Sequence, residues 1–380
     1  MRIEIAESIQ ALDSSETKLA GLVFETLVRL DERGRPRPWL AVSWTHDAAR
    51  KRWLFTPRAN VVLHNGARWE PAEASLTFPD DRPIERILAD LARPRNAIAI
   101  RSPDGTLAGT GPFAIARWEA GKSATLTAHA DYWGGRPYLG SIEIVMGEPV
   151  RQQAIDLELG KADAVEVDIT NLRRLRQQNA NLSVGAPVEV LALLFDGATP
   201  PSVREALALA IDRSAIHTVL LQRQGEVSGA LLPQWISGYS FVFPVARDLS
   251  RARQLGAGAP MLTIGYDGAD ALSRAIAERI AVNASEAALS VRAVAGGNAG
   301  ARVVRLRISS RDPRTALEDL ADQLQFPAPS LADSLVNAER ALLGDARVIP
   351  LVHIPLAWQL SAKVHAWSTE WRLEDTWLGP

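Results

Sequence analysis

The sequence predicts an α/β protein built from more than one lobe. Three observations carry that expectation. Its 380 residues exceed what one small core organises, which suggests two or three domains. Strand-like and helix-like segments alternate through the first half. A second alternating series opens at the apolar stretch 188–195 and runs to an apolar strand at 348–356.

Taken in order, residues 2–6 alternate as a short strand. Leu19, Leu22, Val23, Leu27 and Leu30 recur at helical spacing, so a helix is expected over 19–30, ended by the Asp31-Glu32-Arg33-Gly34 turn. Residues 52–63 read as hairpin strands, with a tight turn at Asn65-Gly66. A short helix over 83–92 precedes Gly109-Thr110-Gly111-Pro112-Phe113, which breaks the chain. A hairpin follows, 113–118 with 123–129 around Ala120-Gly121. Then come strand 141–146, helix 149–159 ending at Gly160, and strand 164–168. In the second series, Thr199-Pro200-Pro201 interrupts the chain after strand 188–195. A helix over 202–223 is expected, with Ser202 and Glu205 as a capping box. Strand 261–266, helix 270–288, strands 289–294 and 302–308, and helix 330–343 complete the series. The tail carries Trp358, Trp367, Trp371 and Trp377, an aromatic cluster expected to close the first lobe.

Composition narrows the function. With 47% hydrophobic and 23% charged residues, a net charge of −2 and a pI near 6.3, the chain has no electrostatic footprint for nucleic acid. It contains no cysteine, which excludes disulfides, thiolate metal sites and cysteine nucleophiles. No apolar run reaches the ~20 residues that span a bilayer. No phosphate-binding Gly-x-x-x-x-Gly-Lys-Ser/Thr loop, His-Glu-x-x-His pair or Gly-x-Ser-x-Gly elbow occurs. His46, His64, His129, His217, His353 and His365 are scattered, so no protein metal site and no cofactor are expected.

Three blocks, however, go together. The first is Phe24-Glu25-Thr26-Leu27-Val28, then Pro38-Trp39-Leu40-Ala41, Trp53-Leu54-Phe55, Arg58 and His64-Asn65-Gly66. The second is Gly109-Thr110-Gly111-Pro112-Phe113, continuing to Asp131-Tyr132-Trp133-Gly134-Gly135 and Pro137-Tyr138-Leu139. The third is Val203-Arg204-Glu205-Ala206-Leu207 with Ala210-Ile211-Asp212-Arg213. In content and order they resemble the peptide/nickel family of extracellular solute-binding proteins of ABC importers, across nearly the whole chain. That resemblance implies a two-lobed periplasmic-binding-protein-like fold (type II, cluster C), here with its extra subdomain reduced between Gly66 and Gly109. Lobe I would take 1–198 plus 355–380 and lobe II 199–354, with hinges near 198–201 and 354–358. The implied protein is a monomeric binding component and not an enzyme. It would close on a peptide or other small polar solute and deliver it to a membrane permease. It would do so in the periplasm or outside the cell, a cytoplasmic location being the alternative. The resemblance assigns a mainly structural role to the signature residues Gly109, Thr110, Gly111, Pro112, Phe113, Tyr132, Trp133, Arg204, Asp212 and Arg213.

Ligand contacts carried over by position are few. Arg95, in Leu91-Ala92-Arg93-Pro94-Arg95, matches the place where relatives set an arginine against an anionic ligand group. A guanidinium fork suits a carboxylate. Asp312, in Ser309-Ser310-Arg311-Asp312-Pro313, matches the acidic position that holds a peptide's amino group, without the neighbouring Trp and Tyr of relatives. Arg311 and Asp312 are read equally as ligand contacts or as a turn with a helix cap. Thr17 lies where the family places a cleft loop. The rival reading from another class is a sensing or protein-interaction domain on the same scaffold.

Overall fold

The computed structural model describes residues 1–11, 19–71, 75–101, 107–239, 242–296, 299–330 and 333–380. Its chain forms two compact units. The first comprises Met1–Asp168, Leu175–Gly185 and Ala357–Pro380, and the second Ile169–Arg174 and Ala186–Leu356. The chain passes between them at Asp168/Ile169, Arg174/Leu175, Gly185/Ala186 and Leu356/Ala357. The expected strand 188–195 is the end of a longer one, Leu182–Phe195, which runs through Gly185/Ala186.

In the first unit, Arg2–Ile5 pairs in parallel with both Ser141–Met146 and Ala164–Glu166. Ser141–Met146 then runs antiparallel to Ser123–Ala128, and that strand to Phe113–Glu119. Ile3, Ile5, Phe113, Leu126, Ile142 and Ile144 point from these strands into one core and are wholly buried. Trp358 and Trp371 join that core, with ring centroids 5.4 Å apart, and Trp367 packs beside them. Trp377 lies outside this cluster, 43% exposed and stacked on His365 at 4.0 Å. A second core of the unit gathers Leu40, Phe55, Val61 and Ile87 beneath the small sheet Ala41–Asp47, Arg52–Pro57 and Leu76–Pro79. So 52–57 pairs with 41–47 and 76–79; Arg58 to Leu63 forms no second hairpin strand.

The helix expected over 19–30 is one turn, Ala20–Val23. Phe24 turns extended, Glu25 bridges Ile98, and Val28–Leu30 becomes a strand against Pro36–Pro38. Leu19, Leu22, Val23, Leu27 and Val28 are all buried. Where every side is apolar, helical spacing does not discriminate helix from buried strand.

In the second unit, Leu262–Tyr266 is parallel to Val291–Ala295 and to Ala301–Arg307, which runs antiparallel to Glu189–Phe195. The helix expected over 202–223 stops at Ala210. Pro201 opens it with no side-chain cap from Ser202, and Glu205 pairs instead with Arg251 at 2.9 Å. Ile211 is extended, and Asp212 starts a new turn by accepting the Ala215 N–H. The helix Pro313–Leu324 was not expected. Asp312 caps it and Pro313 occupies its first turn, where a missing N–H costs nothing. Its neighbour Leu335–Leu343 begins later than expected, capped by Ser334.

Candidate functional site

Three of the signature residues in the first unit, Thr110, Tyr132 and Trp133, converge on one buried carboxylate. Glu25 has no exposed side-chain surface. Its Oε1 accepts Trp39 Nε1–H at 2.7 Å and Tyr132 O–H at 2.8 Å, and its Oε2 accepts Trp133 Nε1–H at 2.8 Å and Thr110 O–H at 3.0 Å. Arg29 approaches Oε1 at 3.6 Å and reaches Glu374 at the same distance. A carboxylate taken out of water demands such a shell. Two arginines extend it: Arg29 lies over the Trp39 ring at 3.6 Å and Arg58 over Trp133 at 3.9 Å, while the two indoles meet edge to face at 4.7 Å. Burial and the neighbouring carboxylate hold the Tyr132 phenol well above its ordinary value, so it remains a donor.

The glycine loop closes against the same segment. A Cβ on Gly109 would lie 2.0 Å from the Val23 carbonyl oxygen, and one on Gly111 2.6 Å from that of Leu22. Only a residue without Cβ lets the two backbones approach this closely. His64 reads the loop from both sides: its Nδ1 accepts the Gly109 N–H at 3.2 Å and its Nε2 donates to the Gly111 carbonyl at 3.0 Å. His129 Nδ1 donates to the same carbonyl at 3.2 Å. Burial pulls His64 down to about 4, so the imidazole is neutral and its tautomer is set by these partners. Pro112 passes its carbonyl to the His129 N–H, and Phe113 enters the core.

In the second unit, Arg204 is buried on the helix Pro201–Ala210. Asp212 caps the following turn and pairs with Arg247 at 3.6 Å. Arg213 is buried and donates Nε–H to the Pro350 carbonyl at 2.8 Å; burial lowers it to about 10, which leaves it charged at neutral pH.

The residues proposed from sequence as ligand contacts fall on different units. Thr17 lies outside the described residues, as does the Ser14–Thr17 stretch. Arg95 belongs to the first unit, in the exposed turn Pro94–Asn96, and it is Arg93 that is buried, 3.7 Å from Asp90. Arg311 and Asp312 belong to the second unit. Asp312 Oδ1 accepts both the N–H (2.9 Å) and the hydroxyl (2.7 Å) of Thr315, which is a helix cap. Arg311 stands with its guanidinium carbon 5.5 Å from the Trp235 ring, and the Trp235 indole is fixed by its N–H to the Pro187 carbonyl at 2.9 Å. Trp235 was not singled out from the sequence; a tryptophan just after Leu231-Leu232-Pro233 reads there as ordinary core. An open groove in the first unit, lined by Met1, Tyr138, Ser141, Asp375, Trp377 and Leu378, contains none of the expected contacts. Among the described residues no group of histidines and carboxylates could hold a metal ion, and no helix is long and apolar enough to cross a membrane.

Residues 75–287 match the model of the bacterial extracellular solute-binding proteins, family 5 (middle region). The nickel-binding periplasmic protein of Escherichia coli is 23% identical over an alignment of 333 residues that covers 68% of this chain and 63% of that protein. The present chain thus spans less than two thirds of that relative's length. Among solved structures, NikA from Brucella suis in complex with Fe(III)-EDTA superposes with a TM-score of 0.83 at 17% identity, covering 100% of this chain and 99% of the other. The murein tripeptide binding protein MppA of Escherichia coli also gives 0.83, at 14% identity, covering 100% and 98%.

Proposed function

Since this chain belongs to the family 5 bacterial extracellular solute-binding proteins, we propose that it is the monomeric, exported binding component of an ABC importer. It takes up a short peptide or a small chelated metal and presents it to a membrane permease. The match of residues 75–287 to the family model carries this reading. The family is made of binding proteins, not enzymes. Its fold is shared with proteins that hold Fe(III)-EDTA and a murein tripeptide. The first cargo is small, polar and rich in carboxylates, which suits Arg311 above Trp235 as a polar anchor on an aromatic base. Arg95 is a second proposed anchor, and Asp312 reaches ligand only through whatever acceptor capacity its cap leaves. Ligand-linked rearrangement would be absorbed where the chain passes between its units, at Asp168/Ile169, Arg174/Leu175, Gly185/Ala186 and Leu356/Ala357.

A thermal-shift series tests the proposal. The probes are di- to pentapeptides, Ni(II) with and without histidine, and Fe(III)-EDTA. A ligand at about 100-fold its Kd stabilises by about 2.7 kcal/mol, a shift of a few degrees at this size. A dose-dependent rise for peptides or for chelates, absent with free Ni(II), is the expected result. No shift with any probe at millimolar concentration would sink the importer reading.

A further inference from the structure

One buried carboxylate is among the groups that hold loop 228–239. Glu339 projects from the helix Leu335–Leu343 and is wholly buried. Its Oε1 accepts two backbone N–H groups, from Leu231 at 2.5 Å and Leu232 at 2.9 Å. Its Oε2 is buried with no hydrogen-bond partner among the described residues. On the strand Val348–Leu360, His353 donates Nε2–H to the Leu231 carbonyl at 3.0 Å, so both polar groups of Leu231 are held. Past Pro233 the loop makes the short turn Gln234–Ser237, which carries Trp235 beneath Arg311. The same carboxylate therefore anchors the segment on which Arg311 is seated.

We propose that Glu339 is a proton-operated latch on loop 228–239: protonated it keeps the loop shut, and ionised it loosens it. A buried carboxylate with one dry, unpartnered oxygen is the costly form. Two N–H groups on Oε1 offset part of that cost; nothing offsets it at Oε2. Loosening the loop lets water reach Oε2; protonation instead leaves a neutral carboxyl, which is cheaper to bury than the carboxylate.

The surrounding charges do not compete with this control. On the same helix, Arg340 is engaged with Asn337 at the surface. On the strand, burial pulls His353 down to about 4, so it stays neutral near pH 7. On the adjoining helix Pro313–Leu324, Arg314 donates to the Asp333 carbonyl and Asp319 accepts from Ser309, both exposed, and Glu318 and Asp322 do not act on Glu339. The loop itself contributes only Tyr239 among titratable side chains. Burial alone pushes the Glu339 carboxyl up to about 7, against the pull of the two N–H groups. A carboxyl opened to water titrates near 4.5, so the shut loop binds the proton more tightly than the open one. By linkage the shut form is favoured as pH falls through neutrality, and this advantage fades as pH rises past about 7.

Hydrogen exchange read by mass spectrometry tests this without any ligand, so its result stands apart from which solute is bound. The protection of a peptide covering 228–239 is measured at pH 5.5 and 8.5, corrected for intrinsic exchange, and referenced to the helix Ala271–Glu286. Wild-type protection is expected to fall more than tenfold between the two. Glu339→Gln, which keeps the acceptor and abolishes ionisation, is expected to show no such fall. A wild-type profile that is flat with pH, or a fall that persists in Glu339→Gln, overturns the latch. Should the variant not fold, the referenced wild-type profile decides alone.

Discussion

Glu25 shows how much one residue can organise. Its four side-chain donors come from positions 39, 110, 132 and 133, and each oxygen takes two of them. Removing the carboxylate leaves those donors buried and unpaired. Glu25→Ala is therefore expected to lower the denaturant stability of the first unit by roughly 3–5 kcal/mol, whereas Thr110→Val, which deletes one donor of four, costs roughly 1–2 kcal/mol. Equal losses in the two variants, by urea titration, would show that the shell is not shared. Gly109→Ala is expected to abolish the loop packing, because its methyl would sit 2.0 Å from a carbonyl oxygen that cannot retreat from the Phe24 ring beside it. His64 has a folded value of about 4, below the 6.5 of a free imidazole. Its contribution is whole above about pH 6.5 and is lost as pH falls toward 4, at most about 3 kcal/mol.

At the scale of the element, Asp312 separates two roles that the sequence left equal. As the cap of Pro313–Leu324 it is expected to contribute about 1 kcal/mol, lost in Asp312→Ala and largely kept in Asp312→Asn or Asp312→Ser. If it also meets ligand through its charge, Asp312→Asn loses binding while keeping stability; unchanged binding in that variant would confine Asp312 to the cap. The elements also show where a sequence is legible. Ser141–Met146 and Val150–Glu158 were readable because alternation passes cleanly to a helix ended by Gly160 at positive φ. Pro313–Leu324 was given no span, although one of the two readings of Asp312 made it a helix cap; Asp at the cap and Pro in the first turn is a helix start. The Ala20–Val23 segment was over-extended because its neighbours are buried on every face. The signature loop was legible from its glycines. The Glu25 shell was not, since its partners are brought together only by the folded chain. Trp235 and Glu339 gave no local signal at all: one indole among eleven, and one glutamate on a helix face, become special only through burial.

Across the whole molecule the two units answer acid differently. The first holds His64, whose neutral form is required. The second holds His353, equally depressed, but also Glu339, displaced in the opposite sense. Lowering pH from 7 to 4.5 costs the first unit stability, while in the second the gain from protonating Glu339 offsets most of the loss at His353. Urea unfolding followed by hydrogen exchange at the two pH values is expected to show the first unit giving way earlier in acid. A larger acid loss in the second unit would contradict this balance. The Glu25 shell has a consequence of another kind, in the order of synthesis. Glu25 leaves the ribosome 107 positions ahead of Tyr132, and Arg29 long before its partner Glu374. Until those later residues arrive, the early segment has a carboxylate it cannot bury, so it stays hydrated and open. The nascent first unit thus has no dry place for Glu25 until Trp133 has been made, and no partner Glu374 for Arg29 until the chain is nearly complete.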